Sequence, residues 1–166
     1  MSHDPAAAAP ATARASAGVH FPPPFVYALG ILAGWALQRW RPWPITAGHA
    51  SWRGVLAAVC ALIYLLIFAS AATGFRRART TLIPNRPASA LVTTGIYGRT
   101  RNPMYVSLVF FYLAFALWLN SWWMLVLVPV VIVAVDRLVI AREERYLASA
   151  FPDDYRAYRA RVRRWI

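Results

Sequence analysis

The chain of 166 residues has the length of about one domain, and 60% of its residues are hydrophobic while only 14% are charged. A water-soluble domain is typically about 45–50% apolar and about 25% charged. This composition therefore excludes an ordinary soluble globule, and it equally excludes a disordered chain. The formal net charge is +12 and all 18 basic residues are arginine, while the single cysteine excludes a disulfide framework and a zinc site of two or more thiolates.

The N-terminal segment differs in composition from the rest of the chain. Residues 1–20 are rich in alanine, proline and serine and lack the basic and leucine-rich regions of a secretory signal peptide. We expect these residues to form a disordered tail, and residues 21–166 to form a single membrane domain.

Long apolar stretches follow this tail. Residues 54–75 and 104–135 carry no charge over 22 and 32 positions, whereas about 20 apolar residues are enough for a helix to cross the hydrocarbon core. The longer stretch therefore predicts two helices that turn at Asn120. The predicted fold class is all-α integral membrane, with about four transmembrane helices and further cytoplasmic helices at the C-terminus. The expected spans are about 22–38, 54–75, 104–119 and 122–140.

The distribution of arginine predicts the orientation. With four spans, the N-terminus, the second loop and the C-terminal tail share one side and carry 15 arginines, against 3 on the other side. Arginine is enriched in cytoplasmic loops, so both termini are predicted to be cytoplasmic, in the inner membrane if the protein is bacterial. Topology thus accounts for the basic charge, and we expect the lipid bilayer, and no nucleic acid, as a partner.

Two glycines stand four residues apart in the first expected span. Gly30 and Gly34 have the Gly-x-x-x-Gly spacing that lets two membrane helices approach closely. This spacing predicts that the first span packs against another helix through these two positions.

The first polar segment that offers candidate ligand-binding groups lies just before the third span. Pro103 stands where a helix would begin, with Asn102 as its N-cap. A helix N-terminus presents free N–H groups and the positive end of the helix dipole. The pattern therefore predicts either a structural cap or an anion site.

The second polar segment follows the last span and holds five of the six acidic residues. Asp136, Glu143 and Tyr146 are spaced by seven and three residues, which predicts one common helix face. Arg137 and Glu144 share the neighbouring face. The same charges are also typical of a solvated helix with ion pairs along its surface, so both interpretations stay open at this point.

The C-terminal residues predict one more helix. Asp153 is in position to cap it. Further along, a stripe with spacings of three, four and three residues indicates an amphipathic helix that lies on the protein or on the membrane interface. The stripe consists of Tyr155, Tyr158, Val162 and Trp165.

Several motifs occur in a fixed order in the second half of the chain. They are GIYGRTRNPMY, a helical hairpin, REERYL and FPDDYRAYRARVRRW. This ordered set, over residues 82–166, resembles the isoprenylcysteine carboxyl methyltransferase family and the related membrane phospholipid methyltransferases. The resemblance implies an integral membrane methyltransferase that uses S-adenosylmethionine, with no Rossmann fold and no metal.

Residue by residue, the resemblance also implies a site. The family's Arg-His-Pro-x-Tyr loop corresponds to Arg101–Tyr105, with Asn102 in place of the histidine. Asparagine keeps the hydrogen bonding but does not titrate near neutral pH, so this position offers no proton transfer. The implied cofactor-binding residues are Tyr97, Arg101, Asn102, Pro103, Tyr105, Glu143 and Glu144. The residues implied to take part in catalysis are Arg101, Arg142 and Glu143.

Methyl transfer requires few catalytic groups. Transfer from a sulfonium is an in-line displacement, in which the enzyme chiefly holds donor and acceptor in position. The resemblance implies a lipophilic acceptor, with a carboxylate of the isoprenylcysteine type as the first choice, and such a carboxylate needs no base. A phospholipid amine must lose a proton, which Glu143 is placed to accept. An NADPH-dependent membrane reductase and a non-catalytic membrane protein are the other interpretations.

Overall fold

The computed structural model describes residues 23–48, 50–78 and 90–166. Within these ranges the regular elements are all helical and no strand occurs, which confirms the all-α prediction. The expected disordered tail, residues 1–20, lies outside the described residues, and so does most of the loop that follows the second helix.

Four long helices correspond to the four apolar stretches. They are α1 (Pro23–Trp40), α2 (Ser51–Arg77), α3 (Pro103–Trp118) and α4 (Trp122–Val135). A 3-10 turn, Gly95–Gly98, precedes α3. After α4 come a π-helical turn, Asp136–Ile140, and the helices α5 (Ala141–Ala150) and α6 (Pro152–Arg161). Two of the described helices, α2 and the continuous helix Trp122–Ala150, are long and apolar enough to cross a membrane.

Helix α2 has the surface of a helix that faces lipid. Its buried residues are Ala57 and Ala71, and most of its large apolar side chains are exposed. These exposed side chains are Val55, Leu56, Val59, Leu62, Leu65, Leu66 and Phe68. A contiguous apolar surface of this kind marks a contact with a membrane or a partner, whereas the core helix of a soluble protein would be covered.

Helices α1 and α4 pack through the two glycines of α1, as their spacing predicted. A Cβ atom at Gly30 would lie 2.5 Å from Cγ2 of Val131, and one at Gly34 would lie 2.5 Å from Cγ of Met124. The two helices therefore come closer than any side chain at these positions would allow.

The turn between α3 and α4 falls at Asn120, as predicted. Asn120 adopts the left-handed conformation with φ of 54°, which asparagine tolerates better than most residues. Its amide pairs with the main chain of Thr46, accepting from the N–H and donating to the carbonyl, each at 3.0 Å. Arg53 donates to the carbonyls of Leu117 and Trp118 at 2.6 and 3.0 Å. Polar groups thus satisfy the C-terminal end of α3.

Helix α6 lies against the protein through the predicted stripe. Tyr155, Tyr158 and Val162 are buried together and pack against Leu147 and Phe151. The arginines of the helix remain exposed. The amphipathic prediction is therefore confirmed, with the protein itself as the covering surface.

Two details of this C-terminal prediction are wrong. Asp153 does not cap α6, because the helix already begins at Pro152, and Asp153 instead pairs with Arg156 at 3.5 Å on the surface. Helix α6 ends at Arg161, so Trp165 does not continue the stripe. The chain turns away there, and Trp165 packs against the main core between the long helices.

Candidate active site

Polar side chains from three distant segments meet at one end of the bundle. The segments are residues 99–102 before α3, residues 136–144 around the π-turn, and residues 162–166 at the C-terminus. Arg53 and the Asn120 turn lie at the opposite end, where α3 finishes. The helices therefore separate one polar cluster rich in carboxylates from a second polar region across the thickness of the bundle.

Glu144 is the central carboxylate of this cluster. Nη2 of Arg101 lies 2.9 Å from its Oε1, and the two side chains are only 9% and 10% exposed. Arg164 binds the same carboxylate through Nε at 3.2 Å and through Nη2 at 2.5 Å. Both oxygens of Glu144 are therefore engaged by guanidinium groups.

Arg164 also binds Asp136. Its Nη1 lies 3.2 Å from each oxygen of that carboxylate, and the indole N–H of Trp165 donates to Oδ1 at 3.3 Å. The hydrogen bonds to Glu144, together with the charges of Glu144 and Asp136, raise the pKa of the Arg164 guanidinium above its ordinary value. Arg164 is thus a permanent cation between two acids.

The pairing of the acids differs from the prediction. The seven-residue spacing placed Asp136 with Glu143, whereas in the structure Asp136 shares Arg164 with Glu144. The reason is the π-turn Asp136–Ile140. Its i→i+5 hydrogen bonds accommodate one additional residue, so every later residue is displaced by one position relative to a regular α-helix.

Glu143 has a different environment. The phenol of Tyr105 donates to its Oε1 at 2.7 Å, and the hydroxyl of Tyr27 donates to the carbonyl of Tyr105 at 3.0 Å. Within the described part of the chain, no arginine nitrogen lies within 4.0 Å of the Glu143 carboxylate. Glu143 is therefore held by a neutral donor and has no cation in contact with it.

The loop before α3 is fastened by the C-terminal residues. The N–H of Arg101 donates to the carbonyl of Arg163 at 2.9 Å. The carbonyl of Arg164 accepts from Oγ1 of Thr100 at 3.1 Å and from Nδ2 of Asn102 at 3.0 Å. These bonds connect residues about sixty positions apart and fix the main chain that carries Arg101.

Asn102 stands at the N-cap position of α3, as predicted, but its side chain makes no capping hydrogen bond. The prediction of a side-chain cap is wrong: Oδ1 accepts no N–H of the first turn, and the amide is instead oriented by Nδ2, which donates to the carbonyl of Arg164 at 3.0 Å. Pro103, buried next to it, is the first residue of α3. Asn102 thus joins two segments of the site.

The guanidinium of Arg101 is only partly satisfied. Its Nη1 donates to the carbonyl of Arg159 at 3.3 Å, and its Nη2 binds Glu144. Its Nε is buried and has no hydrogen-bond partner in the described residues. A buried donor without an acceptor costs about 1–3 kcal/mol, so this atom is a candidate contact for an anionic or polar ligand group.

Tyr97 lies beside the cluster. Its ring packs edge-to-face on Phe75, and its carbonyl accepts from the hydroxyl of Tyr158 at 2.7 Å. Burial raises the pKa of Tyr97, and the charges of Tyr158 and Glu143 act in the same direction. The tyrosine is therefore a neutral wall of the site.

Arg142 is the predicted site residue that does not join the ion pairs of the polar cluster. It is half-buried in α5. No carboxylate of the described residues lies within 4.0 Å of it. The structure thus assembles most of the predicted residues, while Arg142 makes no ion pair with them or with any other described residue. The assembled residues are Tyr97, Arg101, Asn102, Pro103, Tyr105, Glu143 and Glu144.

Two contributors escaped the sequence-based prediction, namely Arg164 and Thr100. The one available signal was Asp136, an acid at the end of an apolar run that needs a cation. The chain has 18 arginines, and nothing in their spacing indicates which of them would turn toward Asp136.

The phospholipid methyltransferase family matches residues 52–154, more than half of the chain, and the chain belongs to this family. The resemblance found in the ordered motifs is thereby confirmed. Together with its two long apolar helices, the family identifies the protein as a membrane methyltransferase in its broad class. The matched residues end before the C-terminal segment that carries Arg164.

Two relatives are similar to parts of the chain. An uncharacterized protein of Haemophilus influenzae is 44% identical over 63 residues, which are 38% of this chain and 100% of that protein. The cobalt-zinc-cadmium resistance protein CzcN of Cupriavidus metallidurans is 30% identical over 106 residues, which are 64% of this chain and 49% of CzcN. The chain thus spans about half the length of CzcN. No solved structure matches it.

Proposed function

We propose that the protein transfers the methyl group of S-adenosylmethionine to a lipophilic acceptor at the cytoplasmic face of the membrane. The observation that carries this proposal is the pair of neighbouring, differently partnered carboxylates, Glu143 and Glu144, beside Arg101. In a chain of the phospholipid methyltransferase family, such a pair offers Glu143 to bind a ligand, while Glu144 binds arginines of the protein itself.

The chemistry of the available groups fits this cofactor. S-adenosylmethionine carries a cationic sulfonium and ammonium as well as a carboxylate, and it supplies an activated methyl group when bound. Glu143, which has no cation in contact within the described residues, suits the cationic groups. The unpartnered Nε of Arg101 suits the carboxylate. A hydrogen bond to a charged group contributes about 1.5–3 kcal/mol, so either contact would be measurable.

The other predicted residues hold Glu143 and Arg101 in place. Both oxygens of Glu144 are engaged by guanidinium groups, so we assign it to the binding site through its hold on Arg101. Tyr105 orients Glu143. Asn102 and Pro103 set the position of the loop at the start of α3, and Tyr97 forms a wall of the site.

The acceptor is proposed to be a lipophilic carboxylate of the isoprenylcysteine type. Arg142 lies half-buried in α5 without an ionic partner in the described residues, and it suits the anionic group of such an acceptor. A carboxylate attacks as it is, so the residues need only to orient it.

A phospholipid amine is the second candidate acceptor, and the position of Glu143 favours it. The ammonium form of the amine must first lose a proton to become nucleophilic. Glu143, bound to the neutral phenol of Tyr105 at 2.7 Å, is a carboxylate that can accept this proton.

In the proposed topology α1 to α4 all cross the membrane and both termini are cytoplasmic. The polar cluster at the start of α3 then lies at the cytoplasmic surface, where a soluble cofactor has access. The exposed apolar side chains of α2 face lipid, from which a lipophilic acceptor reaches the site.

The decisive experiment supplies a radiolabelled methyl donor to membranes that contain the protein. We expect label in the lipid phase with the wild type and with the exposed control Asp154→Asn, and loss of the label with Glu143→Gln. Methyl esters are cleaved by mild base, whereas N-methyl groups resist it, so base treatment distinguishes the two acceptors.

Cofactor binding separates the remaining interpretations. S-adenosylmethionine is expected to raise the thermal stability of the detergent-solubilised protein, because a ligand of the folded state stabilises it. Stabilisation by NADPH instead would favour a reductase, and stabilisation by neither would contradict the proposed function.

A further inference from the structure

The last five residues of the chain form an ordered segment across the polar cluster, which we name the C-terminal strap (residues 162–166). It lies beyond residues 52–154, which the family matches. Val162 is buried against α6, and Trp165 packs on the main core. The strap is therefore anchored at both ends, and Arg164 lies between the anchors.

Arg164 connects the two sides of the cluster. Its main-chain carbonyl accepts from Thr100 and Asn102, in the loop that carries Arg101. Its guanidinium binds Asp136 and Glu144, on the helix that carries Glu143. One residue thus fixes the distance between the loop and the helix that supply the two groups assigned to the methyl donor.

We propose that Arg164 is a positioning residue of the methyl-donor site and acts through Glu144. This inference rests on the proposed function. Glu144 receives Arg101 and Arg164 on one carboxylate, so the position of Arg101 depends on how Arg164 holds that carboxylate. The strap thereby belongs to the site although it contributes no contact to the reacting atoms.

Among the described residues, little positive charge would replace Arg164. Without it, Asp136 would keep the neutral indole N–H of Trp165 and one cation, Arg137 at 4.0 Å, whose side chain is 80% exposed. Glu144 would keep Arg101 as its one cation in this part of the chain. Two carboxylates that are mostly withdrawn from water would then lose the cation they share, and removal of one partner from a buried ion pair is strongly destabilising.

The test compares Arg164→Ala with Arg163→Ala. Arg163 is the exposed neighbour and contributes its main-chain carbonyl, which alanine retains. Calorimetry in detergent is expected to show that Arg164→Ala raises the Kd for S-adenosylmethionine tenfold or more, while Arg163→Ala changes it less than twofold. The KM for the donor should rise in parallel, and the KM for the lipid acceptor should not.

A double-mutant cycle distinguishes positioning from general stabilisation. If Arg164 acts through Glu144, adding Arg164→Ala to Glu144→Gln should change the donor Kd by less than about twofold. Additive effects of the two substitutions would overturn the inference. So would a wild-type donor Kd in Arg164→Ala together with a reduced yield of folded protein, because that pattern reports a structural role.

Arg164→Lys provides a second route if the alanine variant does not accumulate. Lysine keeps the charge but lacks the planar fork that binds two carboxylates at once, so a raised donor Kd is again expected, and a wild-type Kd overturns the inference. If the wild type itself binds no donor, the proposed function fails and this inference with it. If the wild type binds and the variants bind equally well, the inference alone fails.

Discussion

Asp136 and Glu144 bind the same guanidinium although eight positions separate them in the sequence. In a regular α-helix, residues seven apart share a face and the eighth is rotated away from it. The π-turn Asp136–Ile140 absorbs the additional residue. This local widening of the helix decides which of two adjacent glutamates is paired with arginine and which is bound by the phenol of Tyr105.

Shortening the π-turn by one residue should therefore disturb the protein much less than lengthening it by one residue. Deletion of Leu138, an exposed residue, is expected to give a regular α-helix with Asp136 and Glu144 seven apart and still on one face. Insertion of an alanine after Leu138 rotates Glu144 by about 100°. The insertion should cost about 3–5 kcal/mol, the usual effect of breaking a buried ion pair. Thermal unfolding in detergent measures both, and equal losses would contradict the register explanation.

Alanine at the glycines of α1 is expected to destabilise the bundle. In Gly34→Ala the new Cβ would lie 2.5 Å from a side-chain atom and 3.3 Å from the main chain of Met124. Overpacking of this kind costs about 1–3 kcal/mol. Gly54→Ala is the matched control, because nothing lies within 4 Å of its Cβ. The control should gain about 0.5–1 kcal/mol from its lower entropy loss in a helix. A neutral Gly34→Ala in thermal unfolding would mean that α1 and α4 separate easily.

Asn102→His and Asn102→Asp should differ in stability and activity. Histidine retains a ring N–H that can donate to the carbonyl of Arg164, and we expect a folded and at least partly active protein. Aspartate would place a carboxylate oxygen against that carbonyl, where Nδ2 now donates at 3.0 Å. The lost bond and the buried charge together should cost about 2 kcal/mol or more. Methyl transfer and thermal unfolding are the measurements, and an inactive but well-expressed histidine variant would show that this loop acts differently from its family.

Cysteine labelling tests the proposed orientation. In a Cys60→Ser background the chain has no other cysteine, and single cysteines can be placed at the exposed positions Ala47 and Arg163. A membrane-impermeant maleimide added to intact cells should label Ala47→Cys, and it should label Arg163→Cys only after permeabilisation. Labelling of Arg163→Cys from outside would overturn the assignment of the C-terminus to the cytoplasm.

The helices and their ends could be predicted well from local patterns. The length of an apolar run, a proline at a helix start and an asparagine at a turn act over a few residues, and they placed α1 to α4 and the turn at Asn120 to within a few positions. The Gly30–Gly34 spacing is a local signal of the same kind. Two glycines on one helix face allow a close approach whichever helix packs against them.

The sequence by itself thus determined the helices of the described residues, the membrane class of the chain and its family. The tertiary structure alone decided how the charges pair. Arg164 was one arginine among 18, the amide of Asn102 donates to a carbonyl 62 residues away, and the π-turn paired Asp136 with Glu144 instead of Glu143. Contacts between distant segments depend on how closely the folded helices bring them together, and a spacing read along one helix fails as soon as that helix changes its pitch.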